Sequence, residues 1–221
     1  MRRRLVATTV AALLIAGAAS AATVRPERRE IRPADQALAR RVNLKLGDVP
    51  NGLRVFAHLK NPFGPRMACP SFHPDLSDLT VSGEAASPVY GRPGLGIYST
   101  VRLYRSVHDE RAHWSRTNSR AGLACGAKEI AAQRLAKMKV VVRRYAVLRA
   151  PRLGDRTLVV RYTCLLVTGG RRLNMWIDLA SVARGRGEAT LAYTSYAHAA
   201  PNRGRERVLL AKLARRLRGA E

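Results

Sequence analysis

The second half of the chain alternates apolar and polar residues in four successive runs joined by short links. The runs are KVVVRRYAVLR, RTLVVRYTCLLVT, RLNMWIDLASVAR and EATLAYTSYAH, and the links include APRLGD, GG and GRG. Successive side chains of a strand point to opposite faces, so a period of two marks strands rather than helices. A parallel neighbour needs a crossover of about a dozen residues or more, longer than any of these links. Four consecutive antiparallel strands are therefore expected. Gly169–Gly170 is the strongest turn signal, because the favoured two-residue hairpin turns need positive φ at one or both central positions, which glycine adopts freely.

The front half mixes periods. LTVSGEAAS and GLGIYSTVRLYRS read as two further strands around a Pro/Gly turn, SPVYGRPG. ADQALARRVNL has helical spacing. Ser106 can cap a helix over VHDERAHWSRTNS, with Asp109 near the third position as in a capping box, and AKEIAAQRLAK gives a second helix after Cys125. The last helix, ERVLLAKLARRLRG, carries Leu209, Leu213 and Leu217 on one stripe, which reads as a docked face. Strands grouped in sequence, with helices before and after them, predict an α+β fold with a central antiparallel sheet flanked by helices.

The N-terminus sets the expected compartment. Arg2, Arg3 and Arg4 precede an uncharged run from Leu5 to Ala18, and small residues follow at Ala19–Ala21, the layout of a secretory signal peptide over residues 1–21. The apolar run is shorter than the roughly 20 residues a spanning helix needs. Residues 22–36 read as a charged, Pro-containing linker, and 37–221 as one domain. The chain holds 40 basic and 15 acidic residues, for a net charge of +25, and 34 of the basic residues are arginine. Removing the signal and its three arginines leaves +22. Such an excess predicts anionic partners, and export favours envelope polymers, lipids or peptides over nucleic acid.

An oxidising compartment lets paired cysteines persist. Of the three cysteines, Cys164 alternates with Leu158, Val160, Tyr162 and Leu166 and reads as a small buried core residue. Cys69, before Pro70, and Cys125, before Gly126, lie in loop-like sequence and form the natural disulfide pair. CPSFHP matches no cysteine-hydrolase motif, and zinc would want a second cysteine at close spacing.

Alternation also proposes a site. Ile97, Val101, Leu103, Val160, Leu166, Leu173, Met175, Ile177 and Leu179 are expected on one apolar face. The opposite positions collect arginines and aromatics, and Arg102, Tyr104, Arg161, Trp176, Asp178 and Tyr196 are the ligand-binding candidates. Rings stack on ligand faces, and guanidinium forks grip phosphate or carboxylate. Such a face is either open to a ligand or sealed by a helix. In HDERAH the two histidines, His108 and His113, are five apart rather than the four of a zinc helix, so an exposed helix face is expected. No GxSxG elbow, SxxK pair or carboxylate pair is present, so no catalytic residue, metal or cofactor is assigned.

LGDVPNGL at residues 46–53, Cys69–Pro70, DLTVSGEAAS before IYSTVRLYRS, Cys125, and LGD at Leu153–Asp155 together carry a resemblance. Across most of residues 37–219 the chain resembles exported actinobacterial sensor-domain-like proteins, of the PknH-type extracellular domain with a PsbP-like α/β/α sandwich. The resemblance implies a central antiparallel sheet, a Cys69–Cys125 bridge, and a binding or sensing module without a shared catalytic set. The expected function is thus an exported, non-enzymatic, monomeric binding or sensing domain for an anionic cell-envelope component. Peripheral membrane-surface contact is a secondary expectation. The alternative is an envelope hydrolase with dispersed catalytic residues, for which His73, His108 and His198 are the histidines to watch.

Overall fold

A computed structural model describes residues 25–60, 62–63, 69, 72–132, 134–135, 138–196 and 199–220. The signal-peptide assignment and His198 fall outside them. In chain order the elements are β1 (Arg28–Arg29), α1 (Pro33–Val42), β2 (Arg54–Ala57), β3 (Thr80–Ala86), β4 (Val89–Arg92) and β5 (Leu95–Tyr104). There follow α2 (Val107–Thr117), α3 (Arg120–Ala132), β6 (Arg134–Leu135), β7 (Met138–Val147), β8 (Arg156–Thr168), β9 (Arg171–Arg184), β10 (Gly187–Tyr196) and α4 (Arg203–Arg216). The strand order is β1-β3-β5-β10-β9-β8-β7-β6, with β4 also paired to β5 and β2 to β4. The fold is α+β. All pairings between these strands are antiparallel except β1 with β3, so the sheet is mixed.

The back half follows its alternation. β7 to β10 are consecutive antiparallel neighbours, and Gly169 and Gly170 turn the β8–β9 hairpin at φ 51° and 76°. Ser106 caps α2, its Oγ accepting from the Asp109 amide at 3.1 Å. Four boundaries differ from the sequence reading. The Pro/Gly turn contains β4, which pairs back onto β5. The stretch read as a linker supplies β1 and the first turn of α1. α3 begins and ends earlier than AKEIAAQRLAK, because the Ser119 hydroxyl accepts from the Gly122 amide and fixes the start of the helix. Cys125 therefore lies inside a helix, not in a loop.

Helices cover both faces. On one side α1, α4 and the 3₁₀ turn Leu217–Ala220 pack on Ile97, Val101, Leu103, Val182 and Leu191, where Leu209, Leu213 and Leu217 are all buried. On the other, α2 and α3 cover the sheet, and Val160, Tyr162, Cys164, Leu166, Met175 and Ile177 pack with Ile130 of α3. Gly126 lets that helix approach: a Cβ there would lie 2.8 Å from the Tyr162 hydroxyl. The apolar set expected on one face is thus divided between two. Ile97, Val101 and Leu103 face α1 and α4, and the β8 and β9 members face α2 and α3. Burial pushes the Cys164 thiol up to about 12, which keeps it protonated and inert.

Two covalent or charged clasps join distant segments. Arg186, in the β9–β10 turn, forks onto Asp35 of α1 at 2.8 and 2.7 Å, and this hydrogen bonding holds the Asp35 carboxyl below its ordinary range. Cys69 and Cys125 form a disulfide across a separation of 56 residues, tying the loop before β3 to α3. A loop of that length gives about 4 kcal/mol in the chain-entropy account of disulfides. Cys69→Ser with Cys125→Ser is expected to lower the unfolding free energy by about 3–4 kcal/mol, measured by urea titration without reductant; a loss under about 1 kcal/mol would show that the link does not restrict the unfolded chain.

Candidate functional site

Cross-strand partners share a face, so the register sorts the six candidate residues. Arg102 pairs with Glu188, and Tyr196 with Met175, on the α2/α3 face. Arg161 pairs with Asp178, and Thr163 with Trp176, on the α1/α4 face. The candidates therefore form two groups on opposite sides of the sheet. Alternation within a strand leaves open which of its two faces matches which face of its neighbour, and a mismatch between β5 and β8–β9 produced the merged set.

On the α2/α3 face, Tyr196 belongs to the apolar core beneath α3, and Arg102 and Tyr104 enter a buried polar network. His113 of α2 is fully buried rather than on an exposed helix face, as is Glu110 one turn before it. Its Nδ1 lies 2.9 Å from a Glu188 carboxylate oxygen. An ionised carboxylate only accepts, so Nδ1 is the donor. Its Nε2 lies 3.5 Å from both Glu27 and the Arg102 guanidinium. Arg102 donates to Glu27 at 2.9 Å and stands 5.3 Å from the centre of the Phe63 ring, and the Tyr104 ring lies 5.1 Å from the imidazole. Arg156 completes the network by pairing with Glu110 and lying over Trp114.

Pro62, Phe63, Thr100, Arg102, His113, Glu188 and Thr190 line a cleft of about 70 Å³ beside this network. Among the described residues, His113 meets carboxylates and a guanidinium but no hydroxyl or thiol nucleophile. His73 and His108 are exposed. The network fits a charge-matched filling between α2 and the sheet. Its members Glu27, His113 and Glu188 were not legible as a site. The spacing of Glu110 and His113, three apart in a helix whose start Ser106 fixes, is the signal that places both on the inner side.

The α1/α4 face is covered only in part. Near Val159, Ala180 and Val182 it lies under α4 and its flanking segments. Toward the Gly169–Gly170 hairpin it presents four rows of three residues from β7, β8 and β9. The rows are Lys139–Val167–Arg172, Val141–Leu165–Asn174, Arg144–Thr163–Trp176 and Ala146–Arg161–Asp178. Lys139, Arg144, Ala146, Arg172 and Asn174 are exposed, and Val141, Thr163, Leu165, Val167 and Trp176 half-buried. Among the described residues, no carboxylate pairs with Lys139, Arg144 or Arg172. The three cations were legible as residues but not as a cluster, since a bulge between Val142 and Arg144 is what brings Arg144 onto this face.

A charged group closes the inner end. Arg161 forks onto the buried Asp178 at 2.7 and 2.6 Å and also donates to the Pro201 carbonyl at 3.2 Å. Arg161 and Asp178 are thus bound to each other. Glu206 of α4 is buried nearby, with Arg203 donating to it at 2.6 Å. Burial, followed by the neighbouring Asp178, pushes the Glu206 carboxyl up to about 7. Cys69, Cys125 and Glu129 bring three metal-ligating atoms within 4.8 Å of one another, but both sulfurs are in the disulfide. No described helix is long and apolar enough to cross a membrane. No protein-family model matches the chain, and no curated protein matches it.

Glu206 links this region to pH. Its native carboxyl holds a proton that the unfolded chain releases from its ordinary range near 4.5. Its contribution is therefore present at low pH and is lost as pH rises toward about 7. Relative to Glu206→Gln, the native chain is expected to lose about 2 kcal/mol of unfolding free energy between pH 5 and pH 8. Urea titrations at the two pH values measure this, and equal changes in both proteins would place the proton elsewhere.

Proposed function

We propose that this protein is an exported, non-catalytic binding domain that holds an anionic component of the cell envelope on the open part of its α1/α4 face. The observation that carries this is the uncovered patch itself, where Trp176 and three aliphatic side chains lie among Lys139, Arg144 and Arg172. Partly exposed apolar surface bordered by charged residues is a common marker of an interaction site. The charge balance supports it: Asp35, Asp48, Asp78, Glu27, Glu110 and Asp178 each have an arginine partner within the fold, which leaves the excess basic charge to the surface.

Export is supported by the N-terminal signal pattern and agrees with the Cys69–Cys125 bridge, because disulfides persist in oxidising compartments. The resemblance to PknH-type sensor domains of PsbP-like fold rests on the sequence motifs, and we carry that kinship as part of the proposal, with the single bridge as a departure from the kinase domain's pattern. The site differs from the sequence reading. Trp176 stays at its centre, Lys139, Arg144 and Arg172 join it, and Arg102, Tyr104 and Tyr196 belong to the interior of the other face.

Cosedimentation with isolated cell envelopes tests this reading. Arg144→Glu with Arg172→Glu is expected to weaken binding by about tenfold or more at low salt, and added salt to weaken the native protein likewise. Arg40→Glu with Arg41→Glu, which removes equal charge from α1, is expected to weaken it much less. Equal losses from the two double variants would reduce the interaction to net charge alone.

A further inference from the structure

Resting on that reading of the open patch, we infer that its ligand is a single anionic glycan chain lying along the strands, with its charges repeated along the polymer. Three observations narrow the class. First, the cations are spread. Lys139 and Arg172 flank one row two strands apart, about 10 Å, and Arg144 sits two rows further on, about 14 Å along the strand direction. One phosphate or carboxylate would have to gather all three long side chains inward across these backbone separations, whereas a chain with several charges can meet each corner where it stands.

Second, the cations stand further out than the apolar members. Lys139, Arg144 and Arg172 are exposed, and Val141, Leu165, Val167 and Trp176 on the same three strands are half-buried. A flat bilayer meets the outstanding basic side chains first, whereas a slender chain can lie between them against the apolar residues. Third, the patch carries an indole. Trp176 lies in the row of Arg144, across Thr163, where it can stack on an apolar ring face while the guanidinium holds a charge on the same polymer. Sugar rings that bear carboxylate or phosphate offer both surfaces at once. Asn174, exposed in the row between, adds an amide donor and acceptor for hydroxyls. The Arg161–Asp178 pair ends the patch toward α4, so the chain leaves by the hairpin end or across β7.

Fluorescence anisotropy with end-labelled oligogalacturonates of one to eight units tests this on the full exported chain. Affinity is expected to rise steeply from the monomer to the tetramer and to level off by the octamer, once the patch is filled. Trp176→Ala should lose about tenfold in affinity, and Trp176→Tyr, which keeps a ring, should retain most of it. Phosphodiester-linked sugar oligomers of equal length separate a phosphate from a carboxylate preference within the same class. Uncharged malto-oligosaccharides should not bind. If phosphatidylglycerol vesicles bind and no oligosaccharide of any length does, the glycan assignment fails while the anionic-component reading stands. Tighter binding of an oligothymidylate of equal charge also defeats it. So does equal binding of inorganic polyphosphate with no effect of Trp176→Ala, since ring stacking then contributes nothing. If no anionic probe binds at low salt, both readings fail together.

Discussion

The register that runs from β5 through β10 and β9 to β8 decides what every other part of the molecule can be. Those pairings proceed residue for residue, and each strand's alternation is locked to its neighbour's. A one-residue slip at any of them would exchange the faces of all strands beyond it, and one at β5–β10 or β10–β9 would turn both Arg161 and Trp176 to the α2/α3 side. The locked parity gives α1 and α4 a surface of Ile97, Val101, Leu103 and Leu191, and gives α3 one of Tyr162, Cys164, Leu166 and Met175. The sheet extends beyond α4 on one side, and the open rows at the hairpin end follow from that difference in cover.

Charge is arranged by the same scaffold. The few carboxylates sit mostly where two elements meet, each with a guanidinium: Asp35 with Arg186 between α1 and the β9–β10 turn, Asp48 with Arg216 beside α4, Glu110 with Arg156 between α2 and β8. Forked arginine–carboxylate pairs fix orientation as well as charge. Bringing the acids into these joints leaves long stretches of surface with one sign of charge. The cations of the open rows add to that positive surface, a feature that favours solubility and, in the proposed reading, recognition.

Much of the fold was legible. Short links forced β7–β10 into antiparallel neighbours, Gly169–Gly170 marked the hairpin, Ser106 marked the start of α2, and Leu209, Leu213 and Leu217 marked the docked side of α4. The cysteine pairing was legible too, although Cys125 turned out to be helical. The parallel β1–β3 pairing was not, because a two-residue strand has no period. The site was legible only in part. Trp176 could be chosen from its residue type, but matching β5 to β8 and β9 needed pairings separated by dozens of residues, and the Val142/Arg144 bulge left no mark in the alternation. His113 looked like surface because its neighbours are charged; its carboxylate partners come from β10 and from the segment before β1.

The closure of the α1/α4 core by the last helix has a consequence for delivery. Arg216 reaches the carbonyls of Val42 and Asn43 at the end of α1, up to 174 residues earlier in the chain. A polypeptide threaded through a narrow pore from its N-terminus would emerge with α1 and β5 long before the segment that seals them. Until α4 arrives, Leu38, Val42 and Ile97 have no lid, and the emerged part stays open to holding factors and to the oxidant that joins Cys69 to Cys125. For a chain exported as proposed, the late lid would keep the polypeptide loose during passage and compact after it.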